Sequence, residues 1–567
     1  MVRDSALALS EAANAKQAGA DIVEFRVDEC FDPAAAEADP SRQTREISRL
    51  VNESPLPCIV TCRSAKEGGG YSGPESERLD LYEKLVRGGA NGSHPPRYID
   101  MEAGALHASS RDSSRVSLML EGAADARDLS TGLIVSTHDF QGRPQDLTRR
   151  ILAMRDLPAA GVIKVAYRAR SLRDNLELFE LLRESDRPAI ALGMGEFGLM
   201  SRVLAPKFGG FLTFASLRAE TVTAPGQPTV ADLLGLYRFR SIGKSTKVFG
   251  VIGWPVGHSM SPLVHNAVFA EHKFDGVYLP LPVPGAEGAA ADTESTYASF
   301  KATLGSLIDD ATLDFSGASV TIPHKENLVR FARERLKAEP GVWSLDAMSL
   351  ATGAANSLVM ERDGGRVHRA RVFNTDIPAA VGPLSSALGG VEGKAIAVIG
   401  AGGVARGIAF GLARAGALVT VFNRSLTKAE EVVSALSAHL ENPAKLRAAR
   451  IDSLPEFPVF DAYVNCTPVG MTGGPDPTGM TIPIEKLAKP NTNTGNNLHT
   501  SVVLDTVYNP INTPLIRAAT NAGWTTIDGV TMFIEQAALQ SEAWTGKPAP
   551  RQFMDRLVRA KLNQTAQ

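Results

Sequence analysis

The chain reads as an α/β protein: a (β/α)8 TIM-type barrel with its first strand missing, followed by a two-domain module that ends in a Rossmann-like fold. Three observations predict this. Short β-rich runs alternate with helical patterns as far as about residue 235. A polar stretch, 238–247, then breaks the rhythm. Beyond it two more α/β units open, at Val248 and at Lys394, the second with a glycine-rich turn. The predicted domains are therefore 1–237, a linker at 238–247, 248–380 completed by 530–567, and 381–529. At 567 residues the chain exceeds what one hydrophobic core supports.

The first half has strand candidates at 22–26, 58–63, 97–102, 133–138, 162–167, 188–194 and 211–215. Their near-continuous apolar character marks parallel strands covered on both faces by crossover helices. They number one fewer than a closed barrel needs. The chain opens in a helical pattern, so the strand expected to be missing is the first. Val116–Leu120 is a weaker candidate for an extra strand.

Composition excludes several classes. Hydrophobic residues are 44% and charged residues 21%, ordinary for a globular protein. A net charge of -3 supplies no basic field for nucleic acid. No window holds the roughly 18 uninterrupted apolar residues of a membrane span. Cys30, Cys58, Cys62 and Cys466 have no metal-ligand spacing, so no metal is expected. The opening residues carry acid early and do not read as a targeting peptide.

In barrels of this kind, chemistry gathers where strands end. Glu24 and Arg26 share one face of the first run, and Arg63 ends the next, with Glu67 in the glycine-rich loop beyond. Asp100 and Glu102 repeat the two-residue spacing. His138 ends Val135-Ser136-Thr137-His138, and Lys164 interrupts Val162-Ile163-Lys164-Val165-Ala166. Each has a plain alternative: an ion pair for Glu24 and Arg26, a satisfied core histidine for His138. Lys164 resists one, because a strand-interior lysine has no packing reason. A buried lysine that sheds its proton is an amine nucleophile for carbonyls.

Glu24-Phe25-Arg26-Val27-Asp28, Arg63 to Gly69, His138-Asp139-Phe140, Lys164, Met200-Ser201-Arg202 and Ala224-Pro225-Gly226-Gln227 together resemble type I 3-dehydroquinate dehydratase, over about residues 5–235. The resemblance implies an imine between Lys164 and a substrate ketone, with His138 moving protons. It also implies that Arg63, Arg202 and Gln227 hold the substrate's carboxylate and hydroxyls, and that Glu24, Arg26 and Glu67 shape the mouth. Thr223 stands where many relatives have serine.

The second half carries a different pattern. Gly400-Ala401-Gly402-Gly403-Val404-Ala405 follows an apolar run and opens a helical one, the context of a dinucleotide-binding turn. Where an acid would meet a ribose 2′-hydroxyl, the next strand ends in Asn423-Arg424-Ser425. Loss of the acid together with gain of a base favours a 2′-phosphate, and so NADP. Upstream, Ser259 and Ser261 flank Met260 before Pro262, a pair suited to a carboxylate or, equally, to capping a helix. Lys325 in Thr321-Ile322-Pro323-His324-Lys325 and Asp376 in Asn374-Thr375-Asp376, with Asn356 and Asn374 beside them, can exchange protons with an alcohol or carbonyl oxygen.

This ensemble is similar to shikimate dehydrogenase over roughly residues 246–567, through Asn465-Cys466-Thr467-Pro468, Asp505-Thr506-Val507-Tyr508 and Gly529 to Gln536 as well. The resemblance implies that Lys325 and Asp376 are the catalytic pair and that Ser259 and Ser261 bind a carboxylate. Thr321, Asn356 and Gln536 would bind ring hydroxyls, with Tyr508 reaching the substrate. Gly400, Gly402, Gly403, Val404, Ala405, Asn423, Arg424, Ser425, Thr467 and Gly529 would line the nucleotide. Both halves in this order resemble the plant-type bifunctional 3-dehydroquinate dehydratase/shikimate dehydrogenase. A monomer acting on small molecules is expected, in a plastid if the source is a plant and otherwise in the cytoplasm. Two alternatives stay open: a quinate dehydrogenase-like paralogue, and a catalytically silent quinate-pathway regulator.

Overall fold

The computed structural model describes residues 1–31, 40–87, 94–124, 131–218, 226–285, 293–487 and 501–565. The chain divides into two compact units, Met1–Thr246 and Lys247–Gln567.

The first unit is built on a parallel sheet of six strands in sequential order. They are β1 (Val23–Arg26), β2 (Cys58–Thr61), β3 (Tyr98–Glu102), β4 (Gly132–Asp139), β5 (Ala160–Arg168) and β6 (Ala189–Met194). Helices cross between them and cover the strands, and β2 and β6 are buried at every position. One core cluster joins Ile59, Ile134, Val162, Ala166, Ile190 and Leu192 from four of the six strands. Cys58 lies in this sheet as an inert buried thiol, pushed up to about 12 by burial.

One strand expectation fails, and one weaker strand candidate is helical. The run 211–215 forms no strand among the described residues. It follows Gly209, whose φ is +79°, and its backbone is held to β6 through Phe211 N–H donating to Ala189 O at 2.8 Å. Leu212 and Phe214 reach the core by side-chain contact, so burial there does not require a ladder. Val116–Leu120 lies inside the helix Ser110–Ala124, where its apolar residues serve a helical face.

The second unit has two sheets. One is mixed, ordered β10 (Trp343–Leu345), β12 (Arg366–Phe373), β11 (Ser357–Asp363), β9 (Phe315–Val320), β7 (Lys247–Gly253) and β8 (Gly276–Pro282). In it β11 runs antiparallel to both neighbours. The other is parallel throughout, ordered β15 (Leu446–Arg450), β14 (Leu418–Asn423), β13 (Ala395–Ile399), β16 (Ala462–Asn465), β17 (Val502–Asp505) and β18 (Thr525–Ile527). That order reverses between β13 and β16, where doubly wound folds place their ligand crevice. The last helices, Gly529–Thr545 and Arg551–Thr565, return to the first sheet's side. Val530, Ile534, Ala537, Met554 and Val558 pack there on Val264 and Val268 of the helix Ser261–Glu271. The polar insertions expected near 284–296 and 473–500 fall partly outside the described residues, at 286–292 and 488–500, although Thr293–Asp309 and Ile484–Leu487 are helical.

Candidate active sites

In the first unit β4 and β5 pair so that Ser136 faces Lys164 and His138 faces Ala166. Alternation then puts Ser136, His138 and Lys164 on one face. Lys164 is only 5% exposed. Its Nζ lies 2.9 Å from Asp100 Oδ2 on β3, 3.7 Å from Glu24 Oε1 on β1, and 4.3 Å from the centre of the Phe214 ring. The buried charge is therefore compensated on two sides, as a buried cation requires. The other Asp100 oxygen accepts from Arg63 at 2.8 Å and from Ser136 Oγ at 2.6 Å. Burial opposes the Asp100 charge, yet Arg63 and Lys164 outweigh it and hold the carboxyl well below its usual range.

His138 is held by the glycine-loop carboxylate. Glu67 Oε2 accepts from the His138 backbone N–H at 2.9 Å and lies 3.0 Å from Nδ1. Burial, aided by the positive charges of Arg63 and Lys164, drives the imidazole toward its neutral form. Burial also pushes Glu67 up to about 7, against the pull of Arg63. The loop fits only with glycine at its turn, because a Cβ on Gly69 would sit 2.0 Å from the Arg63 carbonyl oxygen.

Glu24, Arg63, Glu67, His138 and Lys164 thus form one connected cluster. Arg26 is committed elsewhere, in a bidentate pair with Asp28 at 2.8 and 3.0 Å. Arg202 is buried on the short helix Leu199–Val203 with no ion-pair partner among the described residues, and its Nε makes no hydrogen bond. Desolvation lowers it to about 10. Gln227 is half-buried just beyond the segment holding Thr223, which lies outside the described residues.

In the second unit Lys325 and Asp376 open the helices Lys325–Ala338 and Asp376–Leu388, and Lys325 Nζ meets Asp376 Oδ2 at 2.6 Å. Asn374, just before that second helix, accepts from the Asp376 N–H through Oδ1 at 3.0 Å. Buried Asn356, just before β11, offers its Nδ2 to Gln536 Oε1 at 3.4 Å. Thr321 lies in the turn after β9, tied to Ile252 O through its N–H at 2.9 Å. Ser259 Oγ accepts from the Ser261 N–H at 3.2 Å, and Ser261 is buried at the start of its helix. Tyr508 stacks on Phe533, ring centres 5.3 Å apart.

At the crevice of the parallel sheet, Gly400 takes a φ of +117° at the end of β13. Gly402 then caps the helix Gly403–Arg414. A Cβ on Gly402 or Gly403 would meet nothing within 4 Å, so open space faces the helix N-terminus. Ala405 is fully buried and Val404 packs on the core beneath the turn. Ser425 caps the helix Leu426–Ser437, and Asn423 Nδ2 donates to Ser425 O at 3.0 Å. Arg424 between them is exposed. Thr467, after β16, donates to Asn465 Oδ1 at 2.8 Å. Gly529 is sterically required, since a Cβ there would lie 2.2 Å from Val507 O.

Several residues in these networks carry no distinct sequence signal. Asp100 shows only as one of an i, i+2 acidic pair, yet it touches both Lys164 and Arg63. Ser136 looks like an ordinary polar residue, as do Ser357 and Thr375, which reach Asn356 Oδ1 at 2.8 and 3.1 Å, and Gln540, which reaches Ser357 Oγ at 2.9 Å. Strand alignment or an acceptor–donor count is needed to find them.

Family models match both units. Type I 3-dehydroquinase matches residues 1–244, the shikimate dehydrogenase substrate binding domain 251–339, shikimate/quinate 5-dehydrogenase 384–454, and the shikimate 5'-dehydrogenase C-terminal domain 529–559. A bifunctional 3-dehydroquinate dehydratase/shikimate dehydrogenase of Arabidopsis thaliana, described as chloroplastic, is 33% identical over 96% of this chain and 80% of its own. The shikimate biosynthesis protein AroDE of Chlamydia pneumoniae is 30% identical over 73% of each. A shikimate dehydrogenase (NADP(+)) of Methanocella arvoryzae is 34% identical over 56% of this chain and 99% of its own. No helix among the described residues is long and apolar enough to cross a membrane. With both halves matched, in this order and over nearly its whole length, the chain belongs to the bifunctional 3-dehydroquinate dehydratase/shikimate dehydrogenase family.

Proposed function

We propose that the first unit dehydrates 3-dehydroquinate through an imine on Lys164, and that the second reduces the resulting 3-dehydroshikimate to shikimate with NADPH. The observation that carries the first step is the placement of Lys164 Nζ, 2.9 Å from Asp100 and on the same face as His138. The ammonium passes its proton to a neighbouring base, and the amine adds to the ketone. Loss of water gives the imine, a sink for the electron pair left when the adjacent C–H proton is taken. His138, biased toward the neutral imidazole, accepts that proton and returns it to the departing hydroxyl. Hydrolysis of the imine frees the lysine and the enone product. Arg202, buried with no carboxylate partner among the described residues, suits the substrate carboxylate.

In the second unit Lys325 gives a proton to the ketone oxygen, and Asp376 holds and recharges that ammonium across 2.6 Å. NADPH, when bound, supplies hydride to the carbonyl carbon. The residues present fit it: open space over Gly402 and Gly403 admits a pyrophosphate, and exposed Arg424 suits a 2′-phosphate. Ser259 and Ser261 take the substrate carboxylate, and Asn356, Gln536 and Thr321 its hydroxyls.

The two steps separate in one cuvette. Dehydroquinate alone should produce enone absorbance, and NADPH added afterwards should be oxidised. Borohydride added with dehydroquinate should leave a substrate-sized mass on the peptide containing Lys164. Folded protein that yields no enone and no adduct would remove the first activity.

A further inference from the structure

Behind Asn356 a chain of buried side chains has the orientation of both its amides fixed by hydrogen bonding. Two backbone groups, which cannot reverse roles, set it. The Thr375 N–H donates to Asn356 Oδ1 at 2.8 Å, so that atom is the oxygen and Nδ2 must point the other way. The Asn356 carbonyl accepts from Gln540 Nε2 at 3.3 Å, which orients the Gln540 amide as well. The hydroxyls between them then follow. Ser357 Oγ accepts from Gln540 Nε2 at 2.9 Å and donates to Asn356 Oδ1 at 2.8 Å. Ser319 Oγ donates to Gln540 Oε1 at 2.8 Å and receives the Tyr278 hydroxyl at 2.7 Å. Tyr278, Ser319, Gln540, Ser357 and Asn356 are all buried, so no solvent competes for these partners.

We infer that Gln540 is a positioning residue for the dehydrogenase site. It acts through Ser357 and through the Asn356 carbonyl to lock the Asn356 amide so that its N–H, never its C=O, faces the substrate. This saturates Asn356 Oδ1 with three donors, since Thr375 Oγ1 also reaches it at 3.1 Å. One Nδ2 hydrogen is directed to Gln536 Oε1 at 3.4 Å, and the second is left to donate to a ring-hydroxyl oxygen. The inference rests on the reading of the second unit as a shikimate dehydrogenase.

The test is a cycle between protein and substrate, run as NADP-dependent oxidation in the full chain. Shikimate is compared with analogues lacking, one at a time, each of its two non-reacting hydroxyls, using wild type and Gln540→Met. In wild type, removing the hydroxyl that meets Asn356 should lower kcat/KM. In Gln540→Met, shikimate itself should lose roughly tenfold, the size of one lost hydrogen bond, carried mainly in its KM with the KM for NADP unchanged. The same deletion should then cost the variant little. Dehydratase activity per chain provides a control on chain quality. Equal deletion effects in variant and wild type would overturn the inference. If Gln540→Met does not fold in the second unit, Ser357→Ala, which removes one hydroxyl from the same chain, decides by the same ratio. Wild-type protein that oxidises no shikimate at all would overturn the parent reading instead.

Discussion

Lys325 Nζ lies 2.6 Å from Asp376 Oδ2, and each residue is the first of its helix. A helix N-terminus favours an anion and disfavours a cation, so the pair places Asp376 at a favourable end and Lys325 at an unfavourable one that Asp376 offsets. Side chains of both remain partly open, at 19% and 14%, as groups that must meet a substrate should.

Lys325→Met should abolish proton delivery and lower dehydrogenase kcat about 10²–10⁴-fold, the usual contribution of a general acid. Asp376→Asn should fall in the same range. Enone formation from dehydroquinate should be unchanged in both, since the dehydratase cluster lies wholly within Met1–Thr246.

Glu67 is pushed up to about 7 from an ordinary 4.5. Folded protein therefore holds this proton more tightly than unfolded chain. Its contribution to stability is complete below pH 4.5 and lost as pH rises through about 7. Activity runs the other way, because ionised Glu67 stabilises the imidazolium formed when His138 takes a proton. Dehydratase kcat/KM should climb through about pH 7, and Glu67→Gln should erase that limb while lowering the plateau. A limb that survives in Glu67→Gln would assign it to another group.

Asp100→Asn removes the carboxylate shared by Arg63 and Lys164 and leaves two buried cations under-compensated. Loss of one partner from such a pair costs about 3–5 kcal/mol. Urea unfolding at pH 7 should show it. Because the folded Asp100 carboxyl titrates below its ordinary 3.8, its stabilisation is full above that value and lost only as pH falls through the folded one.

Arg424→Ala should raise KM for NADPH by about tenfold or more, since one charged hydrogen bond to phosphate is worth about 1.5–3 kcal/mol. KM for NADH should change little. Steady-state kinetics with both nucleotides would show whether exposed Arg424 selects the 2′-phosphate.

Much of this protein was legible in its residues. Apolar runs located β1 to β6 because a strand covered on both faces tolerates little else, and the turn at Gly400–Gly403 was legible because only glycine lets backbone and phosphate come close. The same logic misread 211–215. Its hydrophobicity is real, but Leu212 and Phe214 bury themselves as coil, and an apolar run records burial without recording who pairs with whom.

By itself the sequence determined the two-part α/β architecture and the glycine turn, and it put Lys164, His138, Lys325 and Asp376 forward as the reacting side chains. Tertiary structure alone decided their partners. Asp100 reaches Lys164 from 64 positions away, Glu67 reaches His138 from 71, and Gln540 braces Ser357 from 183. Local pattern reflects local sterics and burial, whereas the charge state of a buried group and the direction of a buried hydrogen bond are set by whichever distant atoms the fold brings within about 3 Å.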